Sequence, residues 1–208
     1  MAARFVTMLK VGLTGSIAVG KSFVLKSLSE LGCYTLDADK IAREVVAPNM
    51  PGLKAVTEVF GKDILKNDAT IDRAKLGAIV FADEGKRLRL NSILHPFIIA
   101  EQDQRVRDWE QRDPKGVAVV DAALMIESGG YRRFDKLIVV HCRPEVQLAR
   151  LIARDGISIE EAEKRIAAQL SQEEKKKHAD FLIDTSEGFE ATRARTKEVF
   201  AALKSVNG

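Results

Sequence analysis

An α/β fold built on a parallel five-stranded sheet flanked by helices is predicted for these 208 residues, and three observations predict it. Five short apolar runs of strand length (Leu9 to Leu13, Cys33 to Leu36, Val117 to Asp121, Lys136 to Cys142 and Phe181 to Ile183) are separated by stretches with apolar residues at helical spacing. A glycine-rich turn joins the first run to the first helical stretch. The alternation of strand and helix, with no internal repeat or low-complexity segment, favours parallel pairing with helices on both faces.

The first run leads into Gly15-Ser16-Ile17-Ala18-Val19-Gly20-Lys21-Ser22, which fits G-x-x-x-x-G-K-[ST] at every required position. Phe23 to Leu31 then has helical periodicity and ends at Gly32. In that context the loop is a phosphate cradle. Its glycines let backbone N–H groups turn onto polyphosphate oxygens, Lys21 reaches the β and γ phosphates, and the Ser22 hydroxyl is the candidate ligand for Mg²⁺. The positive end of the helix dipole adds to the attraction. An ordinary glycine-rich turn would leave Lys21 without a purpose.

The second strand delivers Asp37-Ala38-Asp39 at its C-terminal end, where ligands bind in open parallel sheets. Asp37 is either a cap for the helix Ala38 to Val46 or an acid of the site. Asp39, within the first turn, gains little from the dipole, which leaves acceptance of a proton from an attacking hydroxyl as its competing role. From Ala47 to Pro114 the pattern is helical, over Leu53 to Phe60, Arg73 to Phe81 and Gly85 to Glu110, with no convincing strand. This block is expected to be an insertion that covers the crevice and grips an acceptor, or else a plain helical connection. Within it Pro96 is expected to break or kink the helix and expose His95 at the bend.

Val117 to Asp121 is a continuous apolar strand ending in an acid, the pattern of a strand whose aspartate holds Mg²⁺ through water, although an acid there also serves as a cap. Glu127 closes the apolar stretch after it, either facing substrate or solvated. Pro144 opens a helix running to about Arg154, on which Arg150 and Arg154, four apart, share a face. They are cations suited to a helix C-terminus, or lid arginines that neutralise charge on a transferred phosphoryl group. Ser158 to Glu161 is an S-x-x-E capping box, so the expected lid is itself helical. The charge run Glu173 to His178 reads as a solvated face. A loop at 184–188 precedes the closing helix Phe189 to Leu203.

Taken together these motifs resemble the dephospho-CoA kinases, a family of the P-loop kinase type. The residues that carry the likeness are Gly12 to Gly15 leading into the loop, Asp37-Ala38-Asp39-Lys40-Ile41-Ala42-Arg43, Leu94-His95-Pro96, Arg150 with Arg154-Asp155, and Ala179 to Asp184. The resemblance implies transfer of the ATP γ-phosphoryl group to the ribose 3′-hydroxyl of dephospho-CoA, giving coenzyme A and ADP. It implies that Asp39 is the catalytic acid, that Lys21 and its loop hold ATP together with Mg²⁺, and that Arg150 and Arg154 belong to the lid. Arg43 and His95 then lie near the acceptor, and the loop at 184–188 beside adenine. The domains implied are a nucleotide-binding core of 1–46 and 115–208, with a lid at about 154–178, and a helical acceptor-binding insertion of 47–114. The chain departs from the family pattern at Ser16, Ala18, Val19 and Ala123. If the loop needs positive φ at Ala18, the cost relative to glycine is about 1–2 kcal/mol.

Lys and Arg exceed Asp and Glu by three (33 against 30), which suits small phosphorylated substrates better than nucleic acid. The apolar run from Val117 to Ile126 is too short to span a bilayer, and Met1 to Thr7 lacks the apolar core of a signal peptide. Cys33 and Cys142 have no paired spacing and read as buried, inert thiols of a reducing cytoplasm. No obligate protein partner is implied. Two rival functions share the loop: a kinase for another small metabolite such as a nucleoside monophosphate, and a nucleotide switch with no small acceptor.

Overall fold

The computed structural model describes residues 7–207; the N-terminal stretch inspected for a leader therefore lies, up to residue 6, outside the described residues. Five strands form one sheet in the order β2-β3-β1-β4-β5. They are β1 (Leu9–Thr14), β2 (Tyr34–Asp37), β3 (Val117–Asp121), β4 (Lys136–His141) and β5 (Phe181–Asp184). The central strand β1 pairs in parallel with β3 on one side and β4 on the other, and β4 pairs in parallel with β5. Every residue of β3 is buried, which is why its sequence is a continuous apolar run rather than an alternation. Among the described residues, no helix is long and apolar enough to cross a membrane.

The chain divides into two compact units. One comprises the chain up to Leu36 with Trp109 onward, and the other is Asp37–Asp108. In the first unit Val11, Leu13, Val119, Ile138, Val140 and Ile183 of the sheet form one core cluster with Val24 and Leu28 of α1 (Lys21–Glu30) and Val199 and Leu203 of α9 (Gly188–Asn207). A second cluster, Met125, Ile126, Leu137 and Val139, receives Leu170. Helix α6 (Pro144–Asp155) stops at Gly156, a residue in the left-handed region at φ 65°. Ser158 then caps α7 (Ile159–Ala167), its Oγ accepting from the Glu161 amide at 3.2 Å. The Glu161 side chain turns to Arg165 (2.7 Å) instead of back to the cap.

The second unit is helical, with α2 (Ala38–Glu44), α3 (Pro51–Phe60), α4 (Arg73–Phe81) and the greater part of α5 (Glu84–Arg112). Its extended pairing is one isolated antiparallel bridge, Leu65 with Ile71. The expected break at Pro96 does not occur, because α5 runs through it. A proline removes one N–H and crowds the carbonyl of the preceding turn; here Ser92, His95 and Pro96 are all exposed, so water can solvate the released carbonyl. His95 is thus presented from a continuous helix.

The charge run at 173–178 also departs from expectation. It folds as the short helix α8 (Gln172–Lys176), capped by Ser171, and Lys175 at its end is fully buried.

Candidate nucleotide site

Gly15–Ser22 connects the central strand to the first turn of α1, and the geometry of this turn follows from two glycines. A Cβ on Gly15 would stand 2.5 Å from the Val140 carbonyl oxygen, so only glycine lets the loop leave β1 so close to β4. Gly20 lies at φ 87° and is the N-cap of α1. No side chain caps this helix and its first turn holds no acid, so the positive end of its dipole is uncompensated by the chain. Ala18 also lies in the left-handed region, at φ 60°. The conditional expectation is therefore met, and about 1–2 kcal/mol relative to glycine is stored in the loop.

Register brings the first acid to the loop. Asp121 at the end of β3 is opposite Leu13, one residue before β1 ends, and its Oδ1 forms an ion pair with Lys21 Nζ. Their side chains are only 17% and 7% exposed, so little water screens the pair. Ser22, the candidate Mg²⁺ ligand, is exposed beside them.

Arg150 approaches the same loop. Its Nη1 donates to Thr185 Oγ1 (2.8 Å) and its Nη2 to the Thr185 carbonyl (2.7 Å). The guanidinium is close enough to Gly20 that a Cβ there would lie 3.5 Å from Nη1. Arg154 does not join it. Its guanidinium grips Asp155 through Nε (2.7 Å) and Nη2 (3.1 Å), and Arg165 donates to the same carboxylate at 3.0 Å. These hydrogen bonds hold the Arg154 guanidinium above its ordinary pKa and, with the arginine charges, draw Asp155 below the usual carboxylate range. Four-residue spacing gave the two arginines a common face; their neighbours gave them different partners.

Four candidates belong to the helical unit. Asp37 is settled as a cap: its Oδ1 accepts from the amides of Asp39 (2.8 Å) and Lys40 (3.1 Å). Asp39 is the second residue of α2, exposed, with Arg43 exposed one turn later on the same side. His95 is exposed on α5.

Sequence reasoning missed Gln147 and Gln169, which bond Ile17 of the loop, and two further residues. Lys175 Nζ donates to Glu127 Oε1 (2.7 Å) and to the Ala123 carbonyl (2.8 Å), so Glu127 is neither facing solvent alone nor idle. Nothing in the run of three lysines distinguishes Lys175 from Lys176 and Lys177. Thr185 is the other, and its hydroxyl donates to the Val19 carbonyl inside the loop at 2.7 Å. Only its position immediately after β5 marked it.

Comparison with known proteins agrees with this construction. The family model for dephospho-CoA kinase (CoaE) matches residues 9–190. A dephospho-CoA kinase of Streptomyces avermitilis is 44% identical over 197 residues, covering 94% of either chain. The solved dephospho-CoA kinase from Campylobacter jejuni superposes with a TM-score of 0.72 at 32% identity, over 96% of this chain and 98% of that one. A shikimate kinase from Bacteroides thetaiotaomicron, 16% identical with a TM-score of 0.52 over 95% of this chain and 99% of its own, shares the fold alone. With its loop, its sheet and nearly its whole length matched, the chain belongs to the dephospho-CoA kinase family.

Proposed function

We propose that this chain transfers the terminal phosphoryl group of ATP to the ribose 3′-hydroxyl of dephospho-CoA, giving coenzyme A and ADP as the last step of coenzyme A synthesis. The observation that carries the reading is the Gly15–Ser22 loop, set between the central strand and an uncapped helix, in a chain matched to the family over residues 9–190. Amides of Ser16, Ala18, Val19 and Gly20 and the Lys21 ammonium hold the phosphates, while the Ile17 amide, also expected there, is taken by Gln169. Lys21 already faces a carboxylate, so the incoming triphosphate competes with Asp121 for it, and a charged oxygen replaces a charged oxygen.

The donor set fits Mg²⁺. This ion takes one or two protein oxygens and completes its shell with phosphate and water, so the Ser22 hydroxyl with Asp121 nearby is sufficient and no cluster of acids is required. When bound, it would neutralise phosphate charge. Arg150, beside Gly20, balances the charge that develops on the transferred group, and Arg154 acts from the lid at about 154–178.

Asp39 accepts the proton of the 3′-hydroxyl as that oxygen bonds to the γ-phosphorus and the bond to the β,γ-bridging oxygen breaks, releasing ADP. The cap of α2 is Asp37, so the structural role that competes for Asp39 is its place near the positive end of the helix dipole. Arg43 from α2 and His95 from the helical insertion, 47–114, bind the acceptor, and the loop at 184–188 lies against adenine. The enzyme works in the cytoplasm on small molecules and needs no nucleic acid, membrane or obligate protein partner.

The test is ADP release from Mg·ATP with dephospho-CoA, nucleoside monophosphates or water alone. Turnover confined to dephospho-CoA is expected. Comparable turnover with a nucleoside monophosphate, or with water, replaces the reading with the metabolite kinase or the switch.

A further inference from the structure

We infer that Gln169 and Thr185 are positioning residues for nucleotide binding, acting as a brace that holds the phosphate loop in its left-handed turn at Ala18. The inference rests on the assignment of that loop to nucleotide phosphates.

Ala18 occupies φ 60° although it carries a Cβ, and both of its neighbours are tied from outside the loop. On one side the Ile17 amide donates to Gln169 Oε1 (2.8 Å), and the Ile17 carbonyl accepts from Gln147 Nε2 (2.8 Å). Gln147 is itself fixed, since its Oε1 accepts from Gln172 Nε2 (2.7 Å) and Gln172 Oε1 accepts from the Cys142 amide (2.9 Å). On the other side the Thr185 hydroxyl donates to the Val19 carbonyl at 2.7 Å. Thr185 and Gln147 are buried, so these bonds are made away from competing water. The residues on either side of the strained one are thus held by side chains from three separate segments of the chain, and the peptide joining Ile17 to Ala18 is itself held through the Ile17 carbonyl.

A glycine at position 18 would enter this conformation at no steric cost; alanine resists it. Releasing Ile17 or Val19 therefore lets Ala18 relax to negative φ and turns the neighbouring amides away from a bound phosphate. The brace substitutes for the missing glycine. Gln169 follows directly on α7, whose C-cap is Ala168, so one arm of the brace comes from within the expected lid.

ADP binding by titration calorimetry tests this, because ADP loads the cradle without the terminal phosphoryl assigned to Arg150. Gln169→Ala and Thr185→Val are each expected to weaken ADP about tenfold with the melting temperature nearly kept, equivalent to about 1.4 kcal/mol. Adding Ala18→Gly to either is expected to recover most of the loss, and Thr185→Ser, which retains the hydroxyl, to bind as the parent does. In turnover the KM for ATP rises and that for dephospho-CoA stays. Parent-like ADP affinity in both brace variants, or no recovery on adding Ala18→Gly, overturns the brace. Lys21→Ala separates this from the underlying assignment: if it loses ADP while the brace variants do not, only the brace fails, whereas parent-like binding by Lys21→Ala overturns the phosphate-loop reading and the brace with it.

Discussion

The sheet-bearing unit and the helical unit carry their candidate chemistry in opposite ways. In the first, Lys21, Asp121 and Arg150 are half-buried or buried and each is already engaged, Lys21 with Asp121 and Arg150 with Thr185. In the second, Asp39, Arg43 and His95 are exposed on helices, and the charge group formed by Arg105 with Glu44 (2.6 Å) and Glu101 (2.7 Å) includes none of the three. The first arrangement is preorganised, so little freedom remains to be lost when a phosphate arrives. The second leaves its side chains in water, so their ordering would be a cost of any binding there. The difference teaches that substitutions in the two units should act on different kinetic quantities.

The largest effect is expected in the helical unit. Asp39→Asn removes the proposed proton acceptor and should lower kcat by about 10²–10⁴-fold while ADP affinity by calorimetry stays near that of the parent. Unchanged turnover would return Asp39 to the helix dipole. Next comes Arg150→Ala in the sheet-bearing unit, expected to cost about 10²–10³-fold in kcat/KM for ATP. A loss of folding in place of a loss of turnover, seen as a collapsed thermal transition, would make Arg150 a structural tie to Thr185.

How much was legible beforehand follows the same division. Strand positions, the phosphate loop and the strained Ala18 follow from short-range rules, and β3 could be recognised because complete burial forces an unbroken apolar run. What escaped depends on contacts far apart in the chain. Lys175 meets Ala123 and Glu127 across about fifty residues, and Thr185 meets Val19 across more than 160, so neither is distinguishable from a surface residue by its neighbours in sequence. Pro96 failed as a helix breaker for a local reason, since an exposed turn can give its carbonyl to water. Arg150 bonds Thr185 and Arg154 bonds Asp155, because spacing fixes a face of a helix but not the partner of a head group.

A smaller effect, on stability, sharpens the contrast. Lys175→Met keeps the aliphatic stem but leaves Glu127 and the Ala123 carbonyl without their buried cation. The cost expected is about 1–3 kcal/mol, moderated because the Glu127 side chain is 25% exposed and can recruit water. A fall of several degrees in melting temperature would register it. An unchanged melting temperature would show that the pair is energetically idle, as buried ion pairs sometimes are.

The smallest effect is the pH dependence contributed by His141, which belongs to the sheet-bearing unit. Burial pushes its pKa below the ordinary value, with Lys176 adding to the shift and Asp184 and Glu173 opposing it. A depressed histidine pKa means that below about pH 6.5 the unfolded chain binds the proton more readily than the folded one. The neutral ring therefore costs nothing above that pH, and stability falls as pH drops through the window beneath it, by at most about 1.4 kcal/mol per pH unit for one proton. Asp155, drawn down by Arg154 and Arg165, contributes stability that is lost only at the more acid pH where carboxylates protonate, so the two windows separate. Urea unfolding of the parent and of His141→Gln between about pH 7.5 and 5.5 should give a sloping line for the parent and a flatter one for the variant; parallel lines would mean that His141 titrates alike in both states.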